Sequence, residues 1–308
     1  MLGYLCAYYR YYHPIEFITS FLNNAANDDD IKNGTAYASR VGIKVTMPRW
    51  GLSRSDYFYD KEKNIIAKGL ASVKYIGSGV AEELYRMSHD KLYDRFMDVL
   101  IDINEKTSIN TRQLEVLISL DFFVNFGNQR ELLRIKDMFY DVFKRGNVKK
   151  INKEKVDGTQ LEPIIKKYSI GVTKSGQFSK SYTVLDVKSI LHEVEDAIKA
   201  VGMDDLDDLT KVQNFVDVMG YPGYVSGKEE DRPKLYVMDV YTLCRKKDKK
   251  QFGYSVITKS IGSGKESRFT VFNSVYYKEP INKGNIILCK GFRREGAYFT
   301  LTNYIRLF

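Results

Sequence analysis

The chain has 308 residues, of which 44% are hydrophobic and 28% charged, a composition typical of globular proteins with two or three domains. It contains no long apolar run and begins without a charged, cleavable leader, so export and membrane insertion are not expected. Cys6, Cys244 and Cys289 are widely spaced, which suits a reducing cytoplasm and lacks the spacing of zinc ligands.

The net charge of +9 is concentrated in the last quarter of the chain. Residues 232–308 contain 16 Lys and Arg against 5 Asp and Glu, a net charge of +11. Residues 1–231 contain 32 against 34, a net charge of −2. A region that carries all of the excess positive charge indicates a polyanionic partner, most often a nucleic acid.

Residues 1–70 predict helices followed by short strands. Apolar spacing predicts helix within 1–33, after a start at His13 and Pro14, and a second helix over 31–41. A short strand is predicted within 42–48 and a small β region over 51–70. The run Asp28-Asp29-Asp30 is interpreted as a solvated helix start, because consecutive carboxylates rarely converge on one metal ion.

An anion-binding turn is predicted within residues 72–84. The sequence Gly77-Ser78-Gly79 leads directly into an amphipathic helix, and two close glycines let the backbone turn with its N–H groups outward. The helix dipole adds its positive end at the same place. This pattern is that of a helix-hairpin-helix, which holds the DNA backbone without reading bases; the alternative is a glycine-rich turn between two core helices. The predicted duplex contacts of this turn are Lys74, Gly77, Ser78, Gly79 and Val80.

A second, weaker hairpin is predicted at residues 120–130. Its turn contains one glycine instead of two, so charge is expected from a side chain. Paired hairpins can hold two phosphate stretches across a duplex groove. The predicted contacts here are Gly127, Asn128 and Arg130.

Residues 146–231 carry fewer signals. The lysine-rich residues 146–185 predict a connector with local β structure, and helices are predicted over about 186–219. The acidic run 204–208 lacks the spacing of a calcium loop, so helix capping is the predicted role.

The basic C-terminal region predicts a five-stranded OB barrel. Strand patterning covers 234–244, 252–259, 267–276, 285–290 and 297–307. In such barrels the loops joining strands 1–2 and 4–5 usually carry oligonucleotide binding, and both predicted loops are basic. Aromatic residues flank them and can stack on bases. The predicted single-strand contacts are Lys246, Lys247, Lys249, Lys250, Tyr254, Arg268, Arg293 and Arg294.

These segments, in this order, resemble the C-terminal half of the bacterial DNA polymerase III alpha subunit, a C-family replicative polymerase. The matching stretches are 3–17, 40–45 with Pro48, 66–79, 127–133 and 283–291. The resemblance implies an α+β multidomain fold in which a helical region with tandem helix-hairpin-helix motifs precedes the five-stranded OB barrel. It divides the chain into a fingers-like segment (1–68), a duplex-binding domain (69–150), a connector with helices (151–231) and the OB domain (232–308).

The resemblance also implies the function and its limits. Family members are DNA-directed DNA polymerases whose palm carboxylates hold two metal ions, and that palm lies upstream of the matched segment. No segment here offers such carboxylates, so the chain alone is expected to hold duplex and single-stranded DNA without catalysis, and no cofactor or metal is expected.

Two protein partners are implied as well: the missing catalytic portion and a sliding clamp. Clamp-binding peptides of the family combine a glutamine, an aliphatic residue and a terminal apolar pair. The nearest match is Gln160, Leu161, Ile164 and Ile165; the alternative is an ordinary helix start.

Two other functions remain open. The hairpins and barrel could belong to a replisome adaptor whose contact with DNA is incidental. A metal-dependent nuclease using residues 28–30 or 204–208 has the least support, because neither run has a companion histidine or base at workable spacing.

Overall fold

The computed structural model describes residues 2–172, 177–296 and 298–308. The chain divides into two units, residues 1–205 and 206–308. The fold class expected from the sequence is confirmed: a helical region that contains the hairpins is followed by a closed five-stranded barrel. Among the helices of these described ranges, none is long and apolar enough to cross a bilayer.

The first unit begins with three helices, α1 (Leu2–Tyr12), α2 (Pro14–Asn23) and α3 (Asp28–Arg40). The predicted helix over 1–33 is interrupted at His13, because the proline that follows is accepted only in the first turn of a helix. The helix α3 starts three residues earlier than predicted, since the Asn27 side chain accepts the Asp30 N–H and caps it.

A small sheet follows these helices. Its strands β1 (Lys44–Thr46), β2 (Phe58–Asp60) and β3 (Ile65–Ala67) have the order β1-β3-β2, with β1 and β3 parallel. The apolar face of α2 packs on this sheet through a buried cluster that includes Ile18, Leu22 and Ile66. The predicted short strand and β region are both present, and residues 51–70 outside β2 and β3 form turns and irregular segments.

The hairpin region consists of four helices, α4 (Ser78–Asp90), α5 (Phe96–Lys106), α6 (Thr111–Ser119) and α7 (Gln129–Asp137). Its fully buried side chains include Phe96, Phe123, Phe139 and Phe143. Trp50, the single tryptophan of the chain, lies among four aromatic rings with centroids 5.4–6.2 Å from its own. Its fluorescence therefore reports on the folding of this region.

The rest of the first unit is a second small sheet with two helices. The strands β4 (Lys150–Asn152), β5 (Ser169–Val172) and β6 (Phe178–Val184) form an antiparallel sheet in the order β4-β6-β5. The helices are α8 (Glu162–Lys167) and α9 (Val187–Ala200). Residues 173–176 of the predicted connector lie outside the described residues.

Asp102, in the second half of α5, ties this helix to the segment before it. Its carboxylate accepts hydrogen bonds from Tyr93 Oη at 2.6 Å, Lys91 Nζ at 2.7 Å and Lys106 Nζ at 3.0 Å. Burial of Asp102 opposes its ionisation, but the hydrogen bonds from Lys91, Tyr93 and Lys106 outweigh this effect and hold its pKa at about 2.

Asp102 is therefore expected to stabilise the fold fully above about pH 4 and progressively less below it. Its folded pKa lies below its ordinary value of 3.8, so its contribution is complete above that value and is lost as the pH falls toward about 2. The free energy of unfolding of Asp102→Asn, followed by Trp50 fluorescence, should lie below that of the wild type at pH 7. The difference should shrink between pH 4 and pH 2; a constant difference would contradict the prediction.

The second unit contains the barrel and the helix α10 (Asp208–Met219). The barrel strands are β7 (Lys234–Cys244), β8 (Gln251–Ser260), β9 (Glu266–Phe272), β10 (Ile286–Glu295) and β11 (Tyr298–Arg306). They close in the order β10-β11-β9-β8-β7, and β9 pairs with β11 in parallel while the other pairs are antiparallel. This mixed order is OB-like.

Two strand boundaries differ from the prediction. The third strand was expected to reach residue 276, but β9 ends at Phe272 and a short helix, α11 (Asn273–Tyr276), turns the buried Tyr276 into the barrel core. The fourth strand continues to Glu295 instead of ending at residue 290, because a bulge at Gly291 restores its pairing with β11. The expected strand start at Ala297 lies outside the described residues.

Candidate nucleic-acid interface

The first hairpin turns between a 3-10 helix at Leu70–Ser72 and the start of α4. Val73 and Ile76 are buried and anchor the turn, whereas Gly77, Ser78 and Gly79 are exposed. Gly77 is the N-cap of α4, and among the described residues no side chain caps the helix there. The first N–H groups of α4 and the positive end of its dipole therefore face solvent.

The two glycines are needed for a different reason from the one predicted. Gly77 has φ −84° and Gly79 lies inside α4, so neither needs a conformation reserved for glycine. The residue in the left-handed region is Tyr75, with φ 71°. A Cβ on Gly77 or Gly79 would meet no atom within 4 Å. What the two glycines provide is open space in front of the helix start, where a phosphate can approach the N–H groups.

Two cationic side chains surround Tyr75 beside this open helix start. The Arg112 guanidinium lies 4.1 Å from the ring centroid and donates to Tyr75 Oη at 2.8 Å, and Lys74 Nζ lies 5.1 Å from the same centroid. The Gln113 side chain donates to the Tyr75 carbonyl at 2.8 Å and ties the turn to α6. The structure thus brings the predicted Lys74 together with Arg112, which the sequence analysis missed. Arg112 could have been found from its position in the first turn of α6, because the helix dipole disfavours a basic residue there.

The second hairpin is capped by the chain itself. Asn128 accepts the Glu131 N–H at 2.9 Å, and Glu131 accepts the Asn128 N–H at 3.2 Å, which forms a capping box at the start of α7. The Asp205 carboxylate accepts the Gln129 N–H at 3.1 Å. Gly127, with φ 157° and ψ −178°, has a conformation essentially restricted to glycine. Two carboxylates thus occupy the position expected for a phosphate, and Arg130 alone is exposed for side-chain contact.

The start of α5 is also occupied by a carboxylate. Glu195 of α9 is fully buried and accepts the N–H groups of Phe96 at 3.0 Å and Met97 at 2.9 Å. Lys199 Nζ donates to the same carboxylate at 2.7 Å. Of these three helix starts, in α4, α5 and α7, the chain's own carboxylates cap two and leave α4 open.

The comparison with protein families agrees with this geometry. Residues 42–133 match the helix-hairpin-helix motif family. The match covers under a third of the chain and includes β1 through the first half of α7, so both hairpins lie within it. No curated protein matches the chain. The helix-hairpin-helix match supports nucleic-acid binding by this region.

The predicted basic loop of the barrel lies between β7 and β8, as expected. Lys246, Lys247, Lys249 and Lys250 are all exposed. Backbone hydrogen bonds from the Arg245 N–H to the Lys250 carbonyl and from the Lys249 N–H to the Arg245 carbonyl close the loop, and Lys249 has φ 57°. The loop is therefore tight, and its cations project from a fixed backbone.

Strand register places the outer face formed by β8 and β9 between two basic ends of the barrel, the loop that joins β7 and β8 and the hairpin that joins β10 and β11. Phe272 of β9 pairs with Gly253, close to the basic loop, while Phe269 pairs with Phe299 near the hairpin that joins β10 and β11. The exposed Arg268 and Phe272 project from β9 between these ends, on the side opposite to the core residues Phe269 and Val271. The helix α10 covers a different outer face, where it packs on Tyr236 and Ile286. On the face formed by β8 and β9 the exposed side chains include Arg268 and Phe272, and we call it the open face of the barrel.

Three of the predicted barrel residues lie in other positions than expected. Tyr254 points into the barrel and stacks on the buried Tyr276 with 3.6 Å between centroids, so it does not present its ring to a base. Arg293 and Arg294 belong to β10 instead of a loop, although both are exposed near its end. The sequence analysis missed Phe272, which shares its face with Arg268 through the period of two in β9.

The predicted clamp-binding peptide is not an exposed extended segment. Gln160 is exposed in a turn, but residues 162–167 form α8. Ile165 is fully buried, and Leu161 and Ile164 are half-buried. The apolar pair that a clamp would need is therefore used, in part, by the fold itself.

The acidic runs serve helix starts. Asp207 caps α10 by accepting the N–H and hydroxyl of Thr210 at 3.0 and 2.6 Å, which confirms the predicted capping role. Asp205 caps α7, as described above. The Asp30 N–H is bonded to the N-cap Asn27 at the start of α3. Each of these contacts is one expected of a folded helix terminus.

Proposed function

We propose that this chain binds the sugar-phosphate backbone of duplex DNA at the open start of α4. The observation that carries the proposal is that Glu195 and Asp205 cap α5 and α7, while α4 keeps its N–H groups exposed behind two glycines. Lys74 and Arg112 add positive charge beside that helix start. The helix-hairpin-helix match over residues 42–133 supports the same function.

Duplex binding at such a site should depend strongly on salt. Each phosphate contact releases counterions, so the logarithm of the affinity should fall linearly with the logarithm of the salt concentration, by about 0.9 per contact. Fluorescence anisotropy of a labelled duplex at several salt concentrations measures this slope. An affinity that does not change with salt would exclude backbone binding.

We further propose that the open face of the barrel binds single-stranded DNA. The register that places Arg268 and Phe272 between the basic loop and the β10–β11 hairpin favours this function, because a strand needs both charge along its backbone and a ring for its bases. The bases would stack on Phe272, and the phosphates would contact the flanking basic residues.

A charge-matched pair of variants tests the barrel. One variant replaces Lys246, Lys247, Arg293 and Arg294 by alanine. The control replaces four basic residues outside β8, β9 and the two basic ends, namely Arg232, Lys278, Lys283 and Lys290. We expect the first variant to lose at least tenfold in affinity for a labelled single strand, relative to the control. Equal affinities would instead favour a replisome adaptor whose contact with DNA is incidental.

We also propose that the chain is the DNA-holding part of a polymerase similar to the DNA polymerase III alpha subunit, acting in the cytoplasm. The support is the order of the matching segments along the sequence, together with the hairpin region and the OB-like barrel. A palm-containing polypeptide that binds this chain and polymerises DNA only with it would be the partner. Purification of the tagged chain from its host, followed by a primer-extension assay, tests this part of the proposal.

A further inference from the structure

A short segment of the first unit carries a concentrated positive charge outside both hairpins. Residues 144–155, called here the basic segment, contain six Lys and Arg and one Glu. The surrounding residues 1–231 have a net charge of −2 even with this segment included. The charge is therefore local and is not part of the basic C-terminal region.

The backbone of the basic segment is firmly anchored. Phe143, Val148 and Ile151 are buried. Gly146 also packs against the core, since a Cβ at this position would lie within 4 Å of the Phe139 and Leu191 side chains. Between these anchors the chain makes a tight turn that leaves its basic residues outside. A fixed backbone reduces the conformational entropy that a bound polyanion would have to remove.

Two residues of this turn have an unfavourable backbone conformation. Lys144 has φ 47° and Arg145 has φ 61°, in the left-handed region that non-glycine residues avoid. The packing of Phe143 and Gly146 on either side holds them there. As a result, two neighbouring cations are presented at the surface in a conformation that a free chain would rarely adopt.

Most cations of the basic segment are exposed. Within the described part of the chain, no ion pair is formed by Lys144, Arg145, Lys149, Lys150 or Lys155. The sixth, Lys153, is buried and donates to the Gly171 carbonyl, which is a structural role. Several exposed lysines elsewhere in the same unit are paired, for example Lys61 with Glu16 and Lys167 with Glu193.

We propose that the basic segment is a second surface for the nucleic-acid backbone, which binds phosphates through side chains instead of helix N–H groups. The inference rests on the proposed function for its choice of partner. An anionic lipid surface is the other polyanion to consider, because Phe178 of β6 is exposed with Lys153 Nζ 3.7 Å from its ring centroid, and Ile170 and Val172 of the paired strand β5 are exposed as well. We choose the phosphates of nucleic acid because the helix-hairpin-helix match lies in the same unit, and the test below includes anionic vesicles as the other outcome.

A charge-matched pair of variants tests this surface. The segment variant replaces Lys144, Arg145, Lys149, Lys150 and Lys155 by glutamine. The control replaces five exposed lysines that form ion pairs, Lys61, Lys63, Lys166, Lys167 and Lys188, and changes the net charge equally. Trp50 fluorescence and thermal melting show whether both variants fold. Affinity for a long mixed-sequence duplex is then measured over a range of salt concentrations, beside a Gly77→Asp variant that blocks α4.

We expect the segment variant to bind at least tenfold more weakly than the control, with a salt slope lower by about 0.9 for each lost phosphate contact. If the segment variant and the control bind the duplex with equal affinity and equal salt slope, the inference is overturned. It is also overturned if the segment variant loses binding to phosphatidylserine vesicles while its duplex binding is unchanged. If Gly77→Asp binds like the wild type while the segment variant is weak, the hairpin proposal fails and this surface stands. A wild-type chain that binds no duplex overturns both.

Discussion

Replacing Gly77 by aspartate is expected to weaken duplex binding about 10- to 100-fold while leaving the fold intact or slightly more stable. The new carboxylate would stand at the N-cap of α4 and accept its N–H groups, as the carboxylates of Asp205 and Glu195 accept N–H groups at the starts of α7 and α5. Hydrogen bonds from N–H groups to a charged ligand contribute about 1.5–3 kcal/mol, which corresponds to that range of affinity. The added cap and its charge at the positive end of the dipole should raise the free energy of unfolding by about 0.5 kcal/mol.

The opposite signs of these two effects make the test specific. Backbone angles of −84° and 161° at Gly77 already suit an aspartate N-cap, and nothing lies within 4 Å of the new Cβ. Affinity is measured by anisotropy of a labelled duplex, and stability by urea unfolding followed through Trp50. A variant that is stable and binds the duplex like the wild type would show that the phosphate does not lie at α4.

Two control variants separate charge from occupancy. Gly77→Asn caps the helix without a negative charge, so it should weaken binding less than aspartate does. Gly3→Asp adds the same charge at a glycine in the first turn of α1, where a Cβ also meets no atom within 4 Å. Its duplex affinity should match that of the wild type, apart from the small effect of one added charge at a distance.

Replacing Glu195 by alanine is expected to have the largest effect on stability, a loss of about 3–5 kcal/mol. The carboxylate is fully buried, accepts two N–H groups of α5 and pairs with Lys199. Its removal leaves those donors without partners in the interior and leaves a lysine charge beside them, which is costly. Urea unfolding followed by Trp50 fluorescence measures the loss, because Trp50 packs near α5 on Phe123 and Tyr93.

The neighbouring residue supplies the control. Asp196 is more than half exposed and pairs with Arg95 at 2.6 Å, so Asp196→Asn should lower the free energy of unfolding by no more than about 1 kcal/mol. Similar losses in the two variants would mean that the buried contacts of Glu195 with Phe96 and Met97 contribute little. They would also remove the argument that carboxylates matter at the helix starts of this region.

Patterns that depend on local spacing were predicted well. The barrel strand Lys234–Cys244 has the predicted bounds, since alternation along a strand fixes which face is buried. The capping role of Asp207 followed from its position before a helix. The end of β9 and the inward position of Tyr254 could not be predicted in this way. An aromatic residue on a strand suits the barrel core and a ligand-binding face equally well, and only the closed barrel shows which face it occupies.

The amino-acid sequence by itself determined the elements: two hairpins with glycine turns and a basic five-stranded barrel, whose charge predicts a polyanionic partner. Only the tertiary structure decided which hairpin is free to bind. By spacing alone, the turns at Gly77 and Gly127 both precede helix starts with unsatisfied N–H groups. Asp205 lies far along the chain from Gln129, and folding brings its carboxylate to that N–H group, whereas no side chain caps α4. The physical reason is that a helix start can bind an external anion only if no carboxylate of the chain already accepts its N–H groups. Long-range packing decides whether such a carboxylate is present, and the local sequence does not.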